Sequence, residues 1–104
     1  MEPELDPVAA ALAQAGALPA EMVLAVLRRY GRPLDGPPPP RTAGEKSVAL
    51  AGGTLRGVRL RLPVDVIAND WFVLERAGEE PLAVAGPLFA AALAALARAV
   101  AARS

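Results

Sequence analysis

The chain has 104 residues, which is room for one domain and for a core that needs no disulfide or metal support. Its apolar fraction of 54% argues against disorder of the whole chain, and eleven basic residues balance eleven acidic ones, leaving no net field to steer it onto nucleic acid or an acidic membrane. There is no Cys and no His, which removes disulfides, thiolate chemistry, the usual neutral-pH proton shuttle and ordinary zinc sites, so neither cofactor nor metal is expected.

The N-terminal stretch MEPELDPVAAALAQAG starts acidic and lacks the basic region of a secretion signal. Asp6-Pro7 reads as an N-cap followed by proline at the first helical position. It predicts a helix to about Ala15, with Gly16 as its stop. A second helix is predicted from near Pro19 to Tyr30. Met22, Val23, Val26, Leu27 and Tyr30 form its apolar stripe, Arg28 and Arg29 meet the negative end of its macrodipole, and Gly31 ends it. Residues 6–31 are therefore expected to form a helical hairpin.

Residues 32–46 read as a Pro-rich linker. Pro37, Pro38, Pro39 and Pro40 favour an extended strut that carries the chain from the hairpin to the sheet. The same run also suits a ligand for a Pro-binding domain. From Ser47 the apolar period changes to two, and residues 47–86 predict a four-stranded, mainly antiparallel meander. Its turns are expected at Gly52-Gly53, at Asn69-Asp70 and at 77–80. Gly57 is expected to mark a bulge, and Pro63 an edge or a bend.

Gly86-Pro87 opens a C-terminal helix over 87–102, with Phe89, Leu93, Leu96 and Val100 as its bulky stripe and Ala on most other positions. The uncharged stretch 81–97 has 17 residues, short of the ~20 strongly apolar ones a membrane span needs. No membrane segment is expected, and the cytoplasm is the expected compartment. The expected fold class is α+β in one domain over 1–104: an N-terminal helical hairpin, a four-stranded meander sheet and a C-terminal helix packed on the sheet. Arg outnumbers Lys ten to one and side-chain amides are scarce, a composition that fits a GC-rich genome or a thermophile.

A two-residue turn at Asn69-Asp70 divides the surrounding hairpin into two faces. Leu60, Leu62, Val64, Val66, Trp71 and Val73 share one, which reads as the core surface. Arg59, Arg61, Asp65, Ile67, Phe72, Leu74 and Arg76 share the other. A carboxylate pair for acid–base work would have to be Asp65 and Asp70. However, Arg76 is a diagonal neighbour of Asp65, and a turn aspartate such as Asp70 commonly bonds its own backbone. Gly52-Gly53 lacks the context of a phosphate loop, and no hydroxyl has a histidine to activate it. Arg56, Arg59 and Arg61, with Phe72 nearby, are the candidate nucleic-acid residues, by phosphate contact and base stacking.

Apolar side chains exceed what one sheet face needs, so Ile67, Trp71, Phe72, Leu74 and Phe89 are the candidate protein-interface residues. The Ala-rich side of the last helix offers a partner close approach. No residue pattern identifies a family. The expected function is a non-catalytic protein–protein interaction module, a small accessory subunit or homodimeric adaptor of a larger bacterial complex. Nucleic-acid binding through the arginine strand is the alternative, and a small enzyme using carboxylate or arginine groups alone is the second.

Overall fold

Asp6 starts the first helix by accepting the Val8 N–H at 2.9 Å, with Pro7 next in the chain. In the computed structural model, which describes residues 6–34, 37–60 and 69–103, this helix (α1) covers Pro7–Ala17. It runs through Gly16 and ends where the Leu18 N–H donates to the Gln14 carbonyl at 3.2 Å. The expected stop at Gly16 is corrected: Gly16 lies inside the helix, the cap falls at Leu18, and a Cβ at Gly16 would lie 3.2 Å from Val48 Cγ2. The second helix (α2) is Ala20–Tyr30, closed as expected by the Gly31 N–H on the Leu27 carbonyl at 2.8 Å.

The linker contributes a strand of its own. Arg32–Pro33 (β1) pairs antiparallel with Leu82–Ala85 (β5), so the sheet has five strands where the sequence predicts four. Proline is tolerated there because β1 is an edge, where its missing N–H interrupts no ladder. Ser47–Leu50 (β2), Gly53–Leu60 (β3) and Asn69–Glu75 (β4) complete the order β1-β5-β4-β3-β2, antiparallel throughout. The last helix (α3) is Gly86–Ala102 and follows β5 directly.

Two turn assignments and one bulge change. The β2–β3 turn is Ala51-Gly52, with φ of 49° and 80°, because Gly53 already pairs with Leu50. Both central residues have positive φ, the condition of the type I′ turn that matches strand twist. Asn69 and Asp70 are no turn. They lie in β4 opposite Leu60 and Arg59, and the β3–β4 connection over 61–68 is outside the described residues. Pro63 falls in that segment. Gly57 marks no bulge, since pairing runs unbroken from Thr54↔Glu75 to Leu60↔Asn69.

The helices cover one face of the sheet. Leu50, Leu55, Phe72, Leu74 and Val84 meet Ala11, Leu12, Ala15, Val23, Leu27, Phe89 and Leu93 in the main core. Gly57 lies on this face beneath α1, where a Cβ would come 2.4 Å from Val8 Cγ1. The absent side chain lets α1 settle onto β3. Gly57→Ala is therefore expected to destabilise by about 1–3 kcal/mol through overpacking. Adding Val8→Ala should recover most of the loss, and a urea-unfolding double-mutant cycle measures the coupling. Independent, additive losses would show that the two positions do not meet.

The chain also covers part of the other face. β1 and β2 lie at opposite edges, and Pro39, Pro40, Thr42 and Glu45 of the segment between them lie beside Val58 and Arg59 of β3. Leu34, at its start, packs with Val58, Trp71, Val73 and Ala83 in a second small cluster. Glu45, near its end, bonds Arg56 in the middle of β3. The described residues 37–46 of the Pro-rich linker thus form a strap on the face opposite the helices.

Candidate protein-binding groove

Successive residues of an α-helix turn by about 100°, so the α2 stripe consists of two ridges. Val23 and Leu27 are fully buried in the core. Met22, Val26 and Tyr30 form the adjacent ridge and face α3. The bulky stripe of α3 also divides, along its length. Phe89 and Leu93 are fully buried, whereas Leu96 and Val100 are only half-buried. Between the two open ridges, Ala25, Ala92, Ala95 and Ala99 contribute only methyl groups. The result is a groove of about 470 Å³ between α2 and α3, lined also by Arg29 and Arg103.

The groove is apolar inside and cationic around it. Its charged lining residues are Arg29 and Arg103, whereas Arg28 faces a separate hollow lined also by Glu79 and Glu80. Neither Arg29 nor Arg103 has an ion-pair partner among the described residues. The Arg29 guanidinium lies 5.6 Å from the Tyr30 ring centre, a cation–π contact that keeps the ring beside the groove. Tyr30 is 43% exposed, one of two large apolar side chains so open among the described residues, the other being Leu88.

The interface candidates read from the sheet are placed otherwise. Phe72, Leu74 and Phe89 are enclosed by the helices at 2%, 2% and 0% exposure and offer no surface to a partner. The face expected to carry decoration is thus the main core. Trp71 is on the strap-covered face, half-buried, with the Arg32 guanidinium 5.6 Å from its ring centre. Its indole N–H is buried and has no hydrogen-bond partner among the described residues. Ile67 lies outside the described residues, as do Leu62, Val64, Asp65 and Val66.

The arginine cluster is not brought together. Arg56 and Arg59 are three apart on one strand and point to opposite faces. Arg56 is only 1% exposed and fully engaged: Nε and Nη2 donate to the two Glu45 oxygens at 2.8 and 2.7 Å, and Nη1 donates to Glu75 at 2.6 Å. Arg59 is exposed, 3.8 Å from Asp70, and Arg61 is outside the described residues.

The carboxylates show a similar commitment to structure. The Arg56 fork, outweighing burial, holds the Glu45 carboxyl below its ordinary value of 4.5. Lys46 pairs with Asp6 and, with the Val8 N–H, lowers that carboxyl below 3.8. Arg76 pairs with Glu79 at the β4–β5 turn. Among the described residues, no three His, Cys, Asp or Glu side chains form a group able to hold a metal, and no helix is long and apolar enough to cross a membrane. No protein family, curated protein or solved structure matches the chain.

Proposed function

We propose that the chain is a non-catalytic protein-interaction module, an accessory subunit that offers the α2–α3 groove to a larger assembly in the cytoplasm. The observation that carries this reading is the open apolar groove of about 470 Å³ on a molecule whose sheet is overlaid by helices on one face and by a strap on the other. A continuous apolar surface left open after the core is formed marks an interface. The residue inventory supports the non-catalytic part. The chain has no His or Cys, and Glu45, the most buried of the paired carboxylates, is held by Arg56. Nucleic-acid binding through β3 loses its centre, because Arg56 is buried and paired.

Ala99→Glu tests the reading. Position 99 is exposed, so the helix tolerates glutamate, yet a charge there enters the groove. The wild-type chain, used as bait in its native lysate, is expected to retain a stoichiometric protein that the variant loses. Retention unchanged by the substitution would remove the groove from the reading. In parallel, a single-stranded oligonucleotide is expected to show no appreciable binding at ~150 mM salt. Tight, salt-sensitive binding abolished by Arg59→Ala would favour the nucleic-acid alternative instead.

A further inference from the structure

We infer that the occupant of the α2–α3 groove is an acidic amphipathic helix of a partner protein, an inference that rests on the interaction-module reading above. The charge around the groove selects it. The chain is neutral overall, but Arg29 and Arg103 line the groove and, among the described residues, no acidic residue lines it. Helix C-termini favour cations, which accounts for arginine near the end of α2. The macrodipole supplies only about half a unit of negative charge there, so Arg29 is offset only in part. A partner with acidic residues flanking its apolar stripe meets these arginines and gains both orientation and approach rate.

The shape selects a helix. The groove lies between two helices, and its alanines allow a third to lie close, with large apolar anchors spaced along one face. Strand addition has little to use, because one sheet edge is the two-residue β1 with its proline and the other is the four-residue β2. A second copy of the chain fits poorly. Symmetric docking of two grooves brings Arg29 and Arg103 toward the same residues of the other copy, with no acid lining the groove to separate them.

The test uses the full chain and a synthetic amphipathic peptide of about 18 residues. Leucines at helical spacing form its apolar face, and glutamates flank them. A second peptide carries lysine at every glutamate position. Fluorescence anisotropy is expected to show the acidic peptide binding at least about tenfold tighter than the basic one, with the preference shrinking as salt rises. Arg29→Glu with Arg103→Glu should invert the preference, and Ala99→Glu should abolish binding of both peptides. Far-UV circular dichroism confirms that each variant is folded.

Equal binding of the two peptides, or a preference unchanged by the charge swap, would overturn the inference. So would a wild-type dimer in light scattering that Ala99→Glu splits, which would make a second copy the occupant. Vesicles of anionic phospholipid that displace the acidic peptide and no longer bind Ala99→Glu would assign the groove to a lipid surface. Failure of the acidic peptide while a lysate partner still depends on Ala99 would sink the inference and leave the module reading standing. Failure of both would remove the module reading too.

Discussion

Arg56→Ala is expected to cost about 3–5 kcal/mol of folding free energy, the range for removing one partner of a buried ion pair. The guanidinium forks onto Glu45 at 2.7 and 2.8 Å and reaches Glu75 at 2.6 Å. Without it, the Glu45 carboxylate, whose side chain is 7% exposed, keeps the exposed Arg41 at 3.8 Å and a backbone hydrogen bond from Thr42. It must then protonate or pull the strap away from the sheet. Arg56→Lys should recover less than half of the loss, because one ammonium cannot reproduce the two-pronged bond or reach Glu75 as well. Replacing the pair with Arg56→Met and Glu45→Leu should cost little, since the carboxylate and its burial penalty are removed together.

The same pair predicts an acid limb. Glu45 titrates below 4.5 in the folded chain, so its contribution is complete above pH 4.5 and is lost as pH falls through the lowered folded value. Urea unfolding across that range should show a fall in wild-type stability that is much flatter in Arg56→Ala. Trypsin cleavage at the exposed Arg41, within the strap, should accelerate in the variant. A cost under about 1 kcal/mol, with Arg41 no more susceptible, would mean that the strap is held by other contacts.

The strap explains why the sequence assigns the sheet faces the wrong way round. Trp71 and Val73 do share one face and Phe72 and Leu74 the other, as period two requires. What alternation cannot tell is which face the helices take. The run Trp71, Phe72, Val73, Leu74 is apolar at every position, the signature of a strand covered on both sides. Its two covers are α-helices and a proline-rich strap whose docking residues, Leu34 and Glu45, lie far from β4 in sequence. Arg56 misleads for the same reason. Its partners are 11 and 19 residues away, so the chain order displays it beside Arg59 rather than beside Glu45 and Glu75.

The helices were more legible because their determinants are local. The Asp6-Pro7 start, the Gly31 stop and the Gly86-Pro87 start all act within a turn of the residues they govern. The groove is half legible. A stripe containing Met22 and Val23, then Val26 and Leu27, is wider than one contact surface, which already implies a second neighbour for α2. That the neighbour is the alanine side of α3, and that it leaves space open, depends on where β1 and β5 set the two helices.

Within α3 the two halves of the bulky stripe should separate stability from docking. Phe89→Ala is expected to lose about 3–5 kcal/mol, measured as a drop in the urea midpoint at constant slope. Phe89 has no exposure, and its ring centre is 4.9 Å from that of Phe72 with the planes at 46°, a tilted aromatic contact. Phe72 is fixed in β4 between Gly57 and Val84, so the core has little freedom to collapse into the space left behind. Leu93→Ala should approach that loss, because Leu93 is equally buried. Leu96, one turn further on, lines the groove and is half-buried, so Leu96→Ala should cost about 1 kcal/mol of stability. It should nevertheless weaken the acidic peptide more than its small structural effect implies. A Leu96→Ala loss as large as that of Phe89→Ala, with peptide binding unchanged, would place Leu96 in the core and close the groove as a docking surface.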